Sequence, residues 1–241
     1  MNVALNTRKI NNTGLAARLV KPDICRLMAL QNLTYLPFPS YDNPPIYFIY
    51  RGVEEREHKE IFRAHNIRYD ITVIPPKVVM GEYIKTVGHF HPVKANTGLS
   101  YSEYYEVLDG QALYLLQKND QEGEAEEVIL IEAKKGDKVY IPPNYGHITI
   151  NPGKRTLVMA NLVEAAFKSD YEPIKRKKGA AVYCFRDDFS GYAIVPNNNY
   201  TRQVEPKRVK AAEWPSPIPV SKKNSLYDLF VDNPRAFVFL K

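Results

Sequence analysis

The sequence predicts an all-β fold, a barrel or sandwich flanked by an N-terminal arm and a C-terminal extension. Three observations carry this. From Ile46 onward, short runs rich in Tyr, Ile and Val follow one another: IYFIY, YDITVI, GEYIKTV, YYEVLDG, QALYLLQ, EEVILIEA, KVYIPP, HITI and TLVMANLV. Turn-forming pairs punctuate them at Asp109-Gly110, Asn119-Asp120, Gly136-Asp137 and Pro152-Gly153. Their spacing is near-regular, the pattern of many short strands folding on one another.

Residues 1–43 form the expected arm. Within it, Pro22-Asp23 followed by ICRLMALQNL has the pattern of one short helix with proline near its start. LPFPSYDNPP then interrupts regular structure. Residues 44–196 form the expected barrel. LDG between YYEV and QALYLL is a hairpin signal at Asp109-Gly110. EAAFKSDYEPIKRKKG is expected to be a loop with one helical turn, and AAVYCFRDD and GYAIVP two further strands. Residues 197–241 form the extension. The prolines of Trp214-Pro215-Ser216-Pro217-Ile218-Pro219 stiffen a connector. SLYDLFVDNPRAFVFL is apolar enough to dock, on its own barrel or on a partner subunit.

The chain has 241 residues, 44% of them hydrophobic and 25% charged, enough for a substantial core and too apolar for global disorder. A net charge of +6 favours anionic small molecules and is no nucleic-acid signature. The one dense basic run, Lys175-Arg176-Lys177-Lys178, is expected to be a solvated loop. Cys25 and Cys184 offer no disulfide framework, which points to reduced thiols and a cytoplasmic protein. No stretch has the length and apolarity of a membrane span, and the N-terminus lacks an apolar leader.

The most informative local feature is KTVGHFHP. On a strand, His89 and His91 point to one face. A carboxylate from SEYYEV and a third imidazole, His147 in PPNYGHITIN, complete a mixed nitrogen–oxygen metal site. Glu103 and Glu106 compete for the carboxylate position; Tyr105 and Val107 share the face of Glu103, while Tyr104 and Glu106 point oppositely. His58 and His65, in the charged stretch REHKEIFRAH, are expected to be exposed.

The order H-x-H, E-x6-G and P-x4-H-x3-N resembles the two motifs of the cupin family. In detail it is similar to the cupin-type (archaeal-type) phosphoglucose isomerases, through DITVIPPKVVMGEYIKTVGHFH, SEYYEVLDGQALYLLQ and GDKVYIPPNYGHITINPG, with PPIYFIY and SDYEPI in support. The resemblance implies a double-stranded β-helix of the jelly-roll kind. It also implies one divalent transition metal ion per subunit (Fe, Mn, Ni, Co or Zn) on His89, His91, Glu103 and His147. It implies metal-dependent interconversion of glucose 6-phosphate and fructose 6-phosphate, through an enediolate or a hydride shift. Glu103 and Tyr105 would be catalytic; Tyr47, Thr72, Thr86, Gly88 and Tyr105 would bind the sugar phosphate. A homodimer is implied, with no nucleic-acid or membrane partner.

Three departures stand out. Eleven residues, Pro92 to Ser102, separate His91 from Glu103, more than the family usually has. Val163 stands where a tyrosine is usual, and Ser169 where a histidine precedes the Asp170-Tyr171 pair. Strict alternation also sets Thr86 outward when His89 is inward, so Thr86 reaches substrate only if the strand bulges near Gly88 or Thr86 sits at the rim. A cupin acting on another sugar phosphate, an O2-using cupin enzyme and a non-catalytic sugar-binding cupin are the competing readings.

Overall fold

The computed structural model describes residues 21–39 and 42–241. The fold is mostly β. Fourteen strands assemble into three sheets among the described residues. β1 (Asp23–Arg26), β2 (Pro45–Tyr50), β3 (Ile67–Ile74), β6 (Glu103–Asp109), β9 (Lys138–Ile141) and β11 (Leu157–Glu164) form a six-stranded sheet in the order β1-β2-β3-β11-β6-β9. β7 (Gln111–Asn119), β8 (Ala125–Lys134), β10 (Tyr145–Ile150) and β14 (Lys207–Lys210) form a second, ordered β10-β7-β8-β14. β4 (Val78–Val79), β5 (Glu82–Tyr83), β12 (Val182–Asp187) and β13 (Gly191–Pro196) form a third, ordered β13-β12-β5-β4.

The first two sheets face each other as an open barrel. Tyr105, Val107, Tyr114, Leu116, Ile131 and Met159 fill its interior from both sides. The outer faces are buried as well. Leu113, Leu115, Leu130, Ile148 and Ile150 turn outward from the second sheet and pack with Ala181, Val182, Cys184 and Tyr200. Double burial explains why ALYLL and VILI are continuous apolar runs rather than alternating ones.

The outer face of the six-stranded sheet is covered by α1 (Lys59–His65) and by the C-terminal segment. α1 ends at Asn66, which takes a left-handed conformation that asparagine tolerates. α2 (Glu172–Arg176) is a short helical turn, and α3 (Leu226–Asp232) starts at Ser225, whose hydroxyl accepts the Asp228 N–H at 3.0 Å. Leu226, Tyr227, Phe230, Phe237 and Leu240 are all buried against Phe62, Tyr69, Tyr104 and Leu162. Of the two docking places open to SLYDLFVDNPRAFVFL, the chain uses its own sheet. The proline-rich connector is pinned too: the Trp214 Nε1–H donates to the Tyr140 carbonyl at 2.7 Å.

Four expectations need correction. The helix expected after Pro22 is instead β1 followed by a 3-10 turn over Leu27–Leu30. Pairing with β2 supplies backbone partners that a short isolated helix could not match. The Asp109-Gly110 turn is not a hairpin, since β6 pairs with β11 and β9 while β7 pairs with β8 and β10. It is a corner that carries the chain between sheets, and a Cβ on Gly110 would meet the Thr156 carbonyl oxygen at 2.7 Å. β14, inside the stretch expected to be irregular, lies parallel to the edge strand β8. His58 and His65 are half-buried, bonding the Tyr227 hydroxyl at 3.1 Å and the Ile61 carbonyl at 3.0 Å.

The tail therefore contributes to the core of the monomer. Phe230 is fully buried, with its ring centroid 4.8 Å from that of Phe62 and 5.5 Å from that of Phe237. Phe230→Ala is expected to destabilise by about 3–5 kcal/mol, lowering the melting temperature on the order of 10 °C. A shift under about 2 °C in differential scanning calorimetry would show that the tail is not integral to the fold.

Candidate metal centre and its pocket

The inner face of the six-stranded sheet is organised in rows by cross-strand register. Thr72, Met159 and Val107 are successive partners across β3, β11 and β6. Asp70, Asn161 and Tyr105 form the next row, and Arg68, Val163 and Glu103 the next. Alternation on β6 aims Glu103 and Tyr105 inward and Tyr104 and Glu106 outward.

From the opposite side, β10 delivers His147. His89 pairs with it as an antiparallel bridge, with backbone hydrogen bonds of 3.3 and 3.0 Å. The strand is interrupted just before, over residues 86–88. Gly88 has φ of 64°, and a Cβ there would meet Ile148 Cγ1 at 2.4 Å, so only glycine fits. This break is what lets Thr86 and His89 line the same cavity despite their odd spacing.

His89, His91, Glu103 and His147 bring one ligand atom each within 4.8 Å of one another. The Nε2 atoms of His89 and His91 are 3.3 Å apart. Glu103 Oε2 is 3.0 Å from His147 Nε2 and 3.4 Å from His91 Nε2. Glu106, the rival carboxylate, is on the outer face, paired with Lys138 at 3.2 Å and accepting the Leu226 N–H at 2.6 Å.

The donor set fits a divalent cation. His91 Nδ1 is 3.0 Å from the Tyr101 carbonyl, which can only accept, so Nδ1 carries the proton and Nε2 presents a lone pair. Glu103 Oε2 is buried with no hydrogen-bond partner. Lone pairs and a carboxylate converging in a dry site repel unless positive charge lies among them.

Burial lowers the pKa of His89 well below its ordinary value, and the neighbouring His147 and His91 imidazoles push it further down. Burial lowers His147 too, opposed by Glu103. Burial pushes the Glu103 carboxyl up, but the imidazoles of His147 and His91 outweigh it and hold the group well below the usual carboxylate range. The Tyr105 phenol is raised well above its ordinary value by burial and then by the Glu103 charge, so it keeps its proton.

These groups line a cavity of about 460 Å³. All five expected substrate-contact residues, Tyr47, Thr72, Thr86, Gly88 and Tyr105, border it. So do the two departures, Val163 and Ser169, and Tyr171, whose ring centroid is 5.4 Å from that of His89. A larger, more open basin of about 1060 Å³ lies by the Gly110 corner and the β12–β13 turn. Its lining includes surface lysines and the Arg155–Asp109 and Arg186–Asp188 pairs, with no converging ligand set.

Sequence reasoning missed the charged wall of the smaller cavity: Arg51, Arg68, Asp70 and Lys168. A signal was present. Arg68, Asp70 and Thr72 share the inward face of β3, and charge at inward barrel positions is unusual.

A family model described as glucose-6-phosphate isomerase (GPI) matches residues 25–202. The chain belongs to this family. It is 34% identical over 136 residues to the glucose-6-phosphate isomerase of Thermococcus gammatolerans, covering 56% of this chain and 64% of that relative. It is 33% identical over 156 residues to that of Thermococcus litoralis, covering 65% of this chain and 72% of the relative. Among solved structures, an oxalate decarboxylase from Bacillus subtilis aligns at 20% identity with a TM-score of 0.35. That alignment covers 52% of this chain and 28% of that one, an overlap too slight to bear on function. No helix among the described residues is long and apolar enough to cross a membrane.

Protons compete with metal for imidazole nitrogen, so a lowered histidine pKa moves that competition to lower pH. The expected outcome is that metal content of the dialysed protein persists through pH 6.5, the ordinary histidine value, and falls only well below it. Half-release at or above pH 6.5 would contradict the dry, mutually repelling imidazole cluster.

Proposed function

We propose that this chain is a metal-dependent aldose–ketose isomerase interconverting glucose 6-phosphate and fructose 6-phosphate, through an enediolate. The observation that carries the reading is a coincidence of two independent facts. The family match spans residues 25–202, and within that span three imidazoles and one carboxylate meet in a single enclosed pocket.

His89, His91, Glu103 and His147 would hold one divalent transition metal ion. Such an ion supplies Lewis-acid stabilisation for negative charge developing on neighbouring sugar oxygens. The remaining work falls to the chain. Glu103 is the candidate carrier of the proton between C2 and C1. Its depressed pKa makes it a weak base at rest, so this role requires its contacts with the imidazoles to loosen as substrate enters. Tyr105, which keeps its phenol proton and lies 3.3 Å from His147 Nε2, would donate a hydrogen bond to a sugar oxygen. Tyr47, Thr72 and Thr86 would contribute hydroxyls, and Gly88 a close backbone approach, to the sugar phosphate. Met159 and Val163, 2% and 4% exposed, would present an apolar wall to the carbon chain of the substrate.

The family resemblance supports a homodimer, and light scattering on the intact chain tests it. Two free cysteines support a cytoplasmic location.

In a coupled assay, fructose 6-phosphate is expected to give glucose 6-phosphate, with activity abolished by chelator and restored by divalent metal. Full turnover by a stringently metal-stripped protein would end the Lewis-acid role. Metal-dependent turnover of another sugar phosphate alone would keep the mechanism and change the substrate, a result that Val163 and Ser169 would then explain.

Glu103→Gln is expected to lower kcat by at least about 100-fold, within the range for loss of a general base, while Glu106→Gln leaves it within a few-fold. Metal content is measured on both. Equal, mild effects would remove Glu103 from the chemistry.

A further inference from the structure

One residue in the middle strand of the pocket wall is at odds with its setting. β11 reads LVMANLVE and is buried along nearly its whole length. Met159, Asn161 and Val163 turn inward to the cavity, while Ala160 and Leu162 turn outward to the C-terminal segment. Asn161 is therefore an amide set between a thioether and an isopropyl group. Asparagine is a poor strand residue, and an apolar side chain would be cheaper to bury there. It is 5% exposed.

Its neighbours give it nothing to bond. Cross-strand register puts Asp70 on one side of it and Tyr105 on the other. The Asp70 carboxylate is already occupied: it accepts Arg68 Nε at 2.8 and 2.9 Å, Arg51 Nη1 at 3.3 Å and the Gly52 N–H at 2.9 Å. The Tyr105 hydroxyl lies 3.3 Å from His147 Nε2. The Asn161 amide has no hydrogen-bond partner among the described residues, and it opens on the cavity it lines rather than being sealed in protein.

An amide offers two N–H donors and one carbonyl acceptor. A group that both donates and accepts, without charge, matches it best, and a hydroxyl is such a group. Position narrows the match further. Asn161 is beside Tyr105 and diagonal from Glu103, about 7–8 Å between Cα atoms. Thr72, diagonal from it on β3, adds a hydroxyl that also has no partner among the described residues.

We propose that Asn161 is a specificity-determining residue of the pocket, bonding the hydroxyl groups on C3 and C4 of an open-chain sugar whose C1 and C2 lie at Glu103. The amide gives to one hydroxyl oxygen and takes from the next, so it reads a pair of neighbouring hydroxyls rather than a charge. Met159 and Val163 flank it with apolar surface, against which the carbon chain rests. This assignment rests on the isomerase reading for the numbering of the carbons; the chemistry recognised is a polyhydroxylated chain.

The test uses the full-length, metal-loaded protein and Asn161→Ala, which removes the amide without filling the cavity. KM for fructose 6-phosphate is expected to rise about 5- to 50-fold with kcat changed less than about threefold, because the C3 and C4 hydroxyls are bonded alike in ground and transition states. Glucitol 6-phosphate, an unreactive polyol with the same C3 and C4 hydroxyls, is expected to bind more weakly by a similar factor in calorimetry. Inorganic phosphate affinity and metal content are expected to stay within twofold. The melting temperature of the sugar-free protein should hold within about 2 °C, since the amide has no bond in the protein to lose. Asn161→Thr, which keeps one donor and acceptor, should recover part of the lost affinity; a purely structural role would not yield this graded recovery. Fructose 6-phosphate KM and glucitol 6-phosphate affinity both within twofold of wild type in folded Asn161→Ala protein would overturn the assignment. Loss of inorganic phosphate affinity by the same factor as glucitol 6-phosphate would overturn it too. If the wild type binds glucitol 6-phosphate but fails to turn over fructose 6-phosphate, the isomerase reading falls, and the calorimetric comparison alone decides this one. If the wild type binds no glucitol 6-phosphate, this assignment falls. If Asn161→Ala does not fold, Asn161→Val is put through the same measurements with the same criteria.

Discussion

Alternation along β6 ties the chemistry of this protein to its stability. Glu103, Tyr105 and Val107 turn into the barrel, while Tyr104 and Glu106 turn outward to the C-terminal segment. A slip of one residue in register would put Ser102 or Tyr104 in the place of Glu103, turn Glu103 outward and turn Glu106 into the barrel. Such a slip is opposed on both faces at once. Tyr104 is fully buried, and Glu106 holds both the Lys138 ammonium and the first N–H of α3. Burying the Glu106–Lys138 pair adds little net energy, but leaving either partner alone there costs roughly 3–5 kcal/mol. The pair therefore acts as a register lock beside Glu103.

The unusual insertion and the unusual tail are parts of one arrangement. Ser102, at the end of the insertion, donates to the Phe239 carbonyl at 2.7 Å, and Lys94 donates to the Lys241 carbonyl at 2.5 Å. Within the insertion, the Tyr101 carbonyl fixes the tautomer of His91, and its ring stacks on Phe167 at 4.9 Å. Phe167 in turn lies 4.5 Å from the His91 ring. The eleven-residue stretch thus leads from the docked tail to His91, and holds its imidazole plane through one carbonyl and one aromatic contact. A ligand set that must converge within a few ångströms gains from this, since loosely supported side chains lose the geometry on which metal affinity depends.

Electrostatically the pocket is a graded channel rather than a uniformly charged one. At one side, His89 and His147, whose pKa values burial lowers, stand beside a carboxylate that its imidazole neighbours hold well below the usual range. At the other, Arg68 and Arg51 pair with Asp70, and Arg51 also with Asp23; burial raises the Asp70 pKa against the pull of Arg68. Val163 and Met159 line the cavity between these two polar regions.

Much of this was legible in the chain itself, because some constraints are local. The strand periodicity of YYEV and KVYI, the turn pairs, and the H-x-H, E-x6-G and P-x4-H-x3-N spacings depend only on neighbours in sequence. They determined the mostly β fold and the residues that meet as one ligand cluster. What depended on distant partners was not legible. Residues after Pro22 carry helical apolar spacing, yet β2 offered a ladder and won. Asp109-Gly110 has the chemistry of a hairpin, yet which strand lies beside β6 is settled by β11 and β9, thirty or more residues away. The tail's apolar content demanded burial without naming a surface; Phe62, Tyr69 and Leu162 named it. Arg51, Arg68 and Asp70 were not singled out in the sequence; it is the pairing of β3 with β2 and β11 that places Arg68 in one cross-strand row with Val163 and Glu103. Sequence alone picked out the candidate ligand residues His89, His91, Glu103 and His147, since strand alternation and motif spacing are local. The tertiary structure decided what surrounds that chemistry, because cross-strand register is a property of pairs of segments and no single segment contains it.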